Sequence, residues 1–168
     1  MQAPLPESTG RPRAHIAFAG IGNTLAGDDG AGVAALERLA DALSDDQKET
    51  VLFYRLAGDL FAVSELLDTA ERFIFLDAVA GEVPGELRVL RSDTPFTHTG
   101  SFHQTDIGAV MRSLSKLEWC TPFPEWEVRG ITIASPDRLC EGLSPEIDRA
   151  VDRLVAGMVG EIRQLSDS

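Results

Sequence analysis

The chain has 168 residues, of which 43% are hydrophobic and 25% charged, and 27 acids against 15 bases give a formal net charge of −12. That length supports one hydrophobic core. The acidic balance excludes DNA or RNA as the main partner, because such binding rests on Lys and Arg neutralising phosphates.

The first fourteen residues, MQAPLPESTGRPRA, are Pro-rich and lack the apolar segment of a signal peptide. They read as a loose tail ahead of a single α/β domain over 15–165. His15–Gly20 (HIAFAG) predicts a buried strand. Asp29–Leu43 follows as a helix, with Val33, Leu36, Leu39, Ala40 and Leu43 on one face. Val51–Leu56 (VLFYRL) predicts a second strand, and Asp59–Ala70 a second helix with Leu60, Val63, Leu66 and Leu67 inward. Phe73–Ala78 (FIFLDA) is the most apolar strand, interrupted only by Asp77. Gly81, Pro84 and Gly85 make a turn, and Glu86–Arg91 alternates polar and apolar as a fourth strand. The connection is too short for a helical crossover, so this strand is expected to run antiparallel to the one before it.

After a loop at Thr94–Ser101, His103–Lys116 predicts a helix with Ile107, Val110, Met111 and Leu114 inward. Glu118–Glu125 reads as a loop and Glu127–Ala134 (EVRGITIA) as the fifth strand. Beyond a loop over Ser135–Gly142, Ser144-Pro145-Glu146 opens the last helix, with Ser as N-cap, Pro at the first position and Glu in the first turn. Ile147, Val151, Leu154, Met158 and Ile162 supply its buried stripe. No apolar run reaches the length of a membrane span, so the default location is the cytoplasm. No spare apolar helix face stands out, and a monomer is expected.

Strands alternating with helices imply a three-layer α/β/α sandwich: a five-stranded, mostly parallel sheet with one antiparallel strand and about four helices. In such sheets ligands bind beyond the carboxyl ends of the strands. The Gly20–Asp29 loop leaves strand one there, and Asp77 stands at that end of strand three. His103 joins them if the loop after strand four returns across the sheet.

Gly20-Ile21-Gly22 begins like a dinucleotide-binding turn, but Leu25 occupies the third glycine position, and strand two (YRLAGD) offers no acid at its tip for a ribose. Asp28 and Asp29 favour the helix dipole and would repel a pyrophosphate. Either can serve simply as a cap. An ionised Asp77 inside so apolar a strand is costly unless paired, hydrogen-bonded or bound to a cation; backbone amides are one such partner. Asp29, Asp77 and His103 together present two hard oxygens and an imidazole, a set that suits zinc or nickel and leaves coordination positions open. Cys120 and Cys140 form no CxxC pair, and there is no GxSxG elbow. The cysteines therefore read as inert thiols, without a disulfide framework, a thiolate metal site or a nucleophile.

Four ordered segments carry a family resemblance. GIGNTLAGDDGAGV (Gly20–Val33), FIFLDAV (Phe73–Val79), SFHQTDIGAVM (Ser101–Met111) and GITIASPDRLCEGLSPEIDRAVDRL (Gly130–Leu154) resemble the motifs of the hydrogenase maturation proteases. These endopeptidases trim the C-terminal extension of the [NiFe]-hydrogenase large subunit. The resemblance covers roughly His15 to Ile162. It implies that Asp29, Asp77 and His103 contact the metal, with Gly20, Gly22, Asn23 and Asp28 shaping the supporting loop. The implied metal is nickel carried by the substrate, for which zinc or another divalent ion can substitute, and the implied partner is the large-subunit precursor. Members are thought to use no Ser or Cys nucleophile. Either the metal polarises the scissile carbonyl or activates a water, or a carboxylate acts as general base. One departure stands out: where many members carry GGT after strand two, this chain has YRLAGDL (Tyr54–Leu60), with Gly58 the one remnant. That region is linked in the family to substrate choice and site shape. A non-enzymatic nickel chaperone and a Rossmann-like nucleotide module are the competing readings.

Overall fold

A computed structural model describes residues 13–56, 59–93, 106–134 and 140–166. Five strands form one sheet: β1 (Ala14–Ile21), β2 (Val51–Leu56), β3 (Ala70–Ala80), β4 (Leu87–Arg91) and β5 (Glu125–Ile133). Their order is β2-β1-β3-β5-β4, with β4 antiparallel to β5 and every other pair parallel. The expected α/β sandwich with one antiparallel strand is the observed fold.

Strand alternation sorts the core into two layers. On one face Ile16, Phe18, Ile74, Leu76, Ile131 and Ile133 pack against helices α1 (Ala31–Ala42) and α4 (Pro145–Ser166). On the other, Ala17, Ala19, Phe73, Phe75, Trp126 and Val128 meet α3 (Ile107–Lys116) and a 3₁₀ segment at Leu60–Glu65. A one-turn helix, α2 (Asp45–Lys48), completes the described helices. Its start is a capping box in which Ser44 and Gln47 satisfy each other's backbone amides, a signal present in the sequence as S-x-x-Q.

Several details differ from the sequence expectations, among them the start of α3, which follows the extended N-cap Asp106 rather than beginning at His103. The Asp59–Ala70 helix is only the 3₁₀ segment Leu60–Glu65. Its apolar residues recur at Leu60, Val63 and Leu66, a three-residue spacing that fits a 3₁₀ turn as well as an α-helix. β3 then begins at Ala70, already paired with Ala14, so no room remains for more helix. The helix expected from Asp29 opens instead as a 3₁₀ turn at Gly27–Gly30 and becomes α-helical at Ala31. Finally, β4 runs opposite to β3 as expected but does not pair with it, because β5 lies between them. Thr132 makes that crossing possible: its hydroxyl donates to the Val83 carbonyl at 2.5 Å and accepts from the Glu86 amide at 2.8 Å, and its carbonyl accepts from the Gly85 amide at 2.7 Å.

The first strand starts at Ala14, one residue before the expected boundary, and Arg13 already anchors to the carbonyls of Asp68 and Pro122. Among the described residues no helix is long and apolar enough to cross a membrane.

Candidate active site

β1 hands the chain to the turn at Gly22, where φ is +135° and an added Cβ would stand 2.0 Å from the Asp29 carbonyl oxygen. Only glycine fits there. The loop then closes around Asn23. Its side-chain oxygen accepts the Leu25 amide at 3.0 Å, its carbonyl accepts the Ala26 amide at 2.9 Å, and its own amide donates to Asp29 Oδ2 at 3.0 Å. Asp29 is thereby held in one orientation and is only 5% exposed.

Asp77 sits three residues inside the carboxyl end of β3 and is 3% exposed. β1 and β3 are neighbours whose pairing ends at Gly20 and Leu76, so Asp77 lies just where β1 turns away toward Asp29. The start of α1 presses onto the same spot: a Cβ on Gly32 would meet the carbonyl oxygens of Leu76 at 2.2 Å and Ile21 at 2.4 Å. The fold therefore brings two buried carboxylates to the same end of two adjacent parallel strands. Burying charge in this way is costly without compensating partners, and the Asn23 amide is one such partner for Asp29.

Asp28 has a different task. Its two oxygens accept the backbone amide of Ser144 at 2.6 Å and the Ser144 hydroxyl at 2.9 Å, fastening the start of α4 to the loop. Gly27 reinforces the seam by donating to the Cys140 carbonyl at 2.7 Å. Ser144 was legible in the sequence as an N-cap, but its partner across the chain was not. Gly20 packs under α1, where a Cβ would stand 2.9 Å from the Gly32 carbonyl oxygen.

His103 lies outside the described residues, as do Ala57 and Gly58 of the unusual segment after β2. Among the described residues no three His, Cys, Asp or Glu side chains gather at metal-binding spacing. β4 descends from Leu87, opposite Ile131 near the carboxyl end of β5, to Arg91, opposite Glu127 near its start. Past α3 the chain reaches Pro122, held by Arg13 at the foot of β1, and Arg112 of α3 lies over the ring of Trp126 near the start of β5. α3 thus runs downward, with its first turn, capped by Asp106, toward the carboxylate end of the sheet.

Neither cysteine is paired; burial pushes the Cys120 thiol up, the wrong direction for an activated nucleophile.

The family model described as HycI, hydrogenase maturation protease, matches residues 57–161, a span that includes Asp77 but not Asp29. The hydrogenase expression/formation protein HupD of Bradyrhizobium diazoefficiens is 34% identical over 110 residues, covering 62% of this chain and 56% of HupD. The match therefore spans little more than half of that relative's length. Among solved structures, the hydrogenase maturating endopeptidase HybD from E. coli superposes with a TM-score of 0.68 at 20% identity, covering 92% of this chain and 99% of HybD. The [NiFe] hydrogenase maturation protease HycI from Thermococcus kodakarensis gives a TM-score of 0.68 at 21% identity, covering 92% and 94%. At such identities these structures speak to the fold.

Proposed function

Because the chain belongs to the hydrogenase maturation protease family, we propose that it is an endopeptidase that removes the C-terminal extension of a [NiFe]-hydrogenase large-subunit precursor after nickel insertion. The observation that carries this reading is the pair of buried carboxylates, Asp29 and Asp77, at the carboxyl end of adjacent strands β1 and β3. Two carboxylates and the imidazole of His103 form a donor set for a divalent cation with positions left open. The nickel belongs to the substrate, so the protein need hold no metal of its own. Asp29 and Asp77 recognise the loaded precursor through that ion, which sets the scissile bond against the site.

The chain's own contribution is orientation. The Asn23 amide fixes one oxygen of Asp29, and β3 fixes Asp77 in a paired strand. Rigid carboxylates of this kind lose little freedom when a cation arrives, which keeps the differential binding available for the reaction. We place the activity in the cytoplasm, on a monomeric enzyme.

The decisive experiment incubates the purified protein with nickel-loaded and nickel-free precursor and follows the size of the large subunit. Trimming of the loaded form alone is expected. A loaded precursor that binds but stays uncut would replace the peptidase by a nickel-binding chaperone.

A further inference from the structure

Among the described residues six large apolar side chains are well exposed, and four of them stand at the carboxyl end of the sheet, the end that holds Asp29 and Asp77. Phe61 comes after β2 at the top of the 3₁₀ segment, Leu25 after β1, and Val83 after β3. Leu87 opens β4 opposite Ile131, near the carboxyl end of β5. In the strand order β2-β1-β3-β5-β4 these four residues run from one edge of the sheet to the other, over four strand spacings or roughly 19 Å. Single exposed apolar residues are ordinary on any surface. Here they gather on one end, while the described side chains of α1 and α4 include none.

The backbone under this rim is held. Leu25 is 59% exposed at the tip of the site loop, where its amide donates to the Asn23 side-chain oxygen at 3.0 Å, and the Asn23 amide in turn donates to Asp29 Oδ2. Leu25 is thus two hydrogen bonds from a site carboxylate. The Phe61 amide donates to Asp59 Oδ1 at 2.9 Å, and the Val83 carbonyl accepts the Thr132 hydroxyl. Contact with a partner therefore orders little that is not already ordered. A stable protein interface buries about 800 Å² on each partner, a disc on the order of 30 Å across, with an apolar centre inside a polar margin. The rim has the width of such a centre.

We propose that this rim docks the folded body of the large-subunit precursor, which meets it with an apolar surface of its own, and that Leu25 is the anchor beside Asp29. The inference takes the partner's identity from the peptidase reading, and the experiment separates the two. Affinity for nickel-loaded precursor and its trimming are both measured. A wild type that binds without trimming removes the peptidase reading and leaves the rim to be judged on affinity; one that does neither removes both. Leu25→Ala is expected to weaken affinity and raise KM about tenfold while kcat is nearly kept. Phe61→Ala should do the same to a smaller degree, and the double variant should show the product of the two losses. Leu25→Met should recover most of the loss. Leu117→Ala, at the C-cap of α3 on the opposite end, should lose nothing. An unchanged affinity in Leu25→Ala, or an equal loss in Leu117→Ala, overturns the inference and leaves the peptidase reading standing. So does full competition by a peptide spanning the scissile bond, which would give the rim to the extended segment. A wild-type dimer made monomeric by Leu25→Ala would give it to a second copy instead, with the same result.

Discussion

Asp28 and Asp29 are adjacent carboxylates with opposite duties, and the difference comes from what the fold places beside each. Asp28 spends both oxygens on Ser144, whereas Asp29 is turned inward and steadied by the Asn23 amide. Asp77 is buried on the neighbouring strand. If the carboxylates serve cation recognition, Asp77→Asn should lower processing of the loaded precursor by roughly a hundredfold or more while keeping the side chain's shape. The amide keeps the side chain's volume and its capacity to accept a hydrogen bond, so the protein should remain folded with a clear cooperative thermal transition. His103→Ala should lose processing likewise and remain folded. Near-native trimming by either variant would remove that residue from the site. Thermal unfolding read by circular dichroism, alongside the size-shift assay, checks both halves.

Among the elements, the seam between the site loop and α4 matters most. Asp28 is the tie that joins them, so Asp28→Ala should cost about 1 kcal/mol in urea unfolding, the size of a lost cap. Because Asp29 follows it directly, processing should weaken as well, but less than in Asp77→Asn. An unchanged urea midpoint would show that the tie is redundant with the Gly27–Cys140 hydrogen bond. α1 and α4 are also clamped by Arg38, whose guanidinium meets Asp148 and Asp152; hydrogen bonding to Asp148 is the main reason it is held more firmly protonated. At the foot of the sheet Glu127, 3% exposed, meets Arg129 at 2.7 Å and Arg72 at 3.0 Å, while Arg129 reaches Glu161 of α4 at 2.7 Å. One carboxylate therefore joins β3 and β5, and through Arg129 it reaches α4. Arg129→Leu would leave Glu127 poorly compensated, at a cost of about 3 kcal/mol.

For the whole molecule, that network sets an acid limit. Burial pushes the Glu127 carboxyl up, but the hydrogen bond and charge of Arg129, with Arg72 behind them, outweigh it and hold the group below the usual carboxylate range. A depressed folded-state value means that the unfolded chain takes up the proton first. The resulting stability is fully present above the ordinary glutamate value of about 4.3 and drains away as pH falls below it. A series of thermal midpoints against pH should therefore drop below that point in the wild type and drop less steeply in Glu127→Gln. Equal slopes would assign the acid sensitivity to other carboxylates.

What could be read from residues alone follows from local physics. Apolar runs and helical spacing gave the strands, the main helices and the sandwich, because burial of one face is written in periodicity. Gly20-Ile21-Gly22 with two following acids read as a tight turn that presents a carboxylate, and the buried Asp29 follows that turn. The short link after Asp77 correctly implied a reversed strand. The three-residue spacing after Asp59 could not separate a 3₁₀ turn from an α-helix. The tertiary structure alone decided that β5 inserts between β3 and β4, because strand order depends on long-range pairing and on the hydroxyl of Thr132 rather than on any local pattern. It also decided that Asp28 belongs to Ser144, 116 residues away. That insertion set Leu87 opposite Ile131 at the carboxyl end of the sheet, since register brings together residues that no spacing along the chain relates.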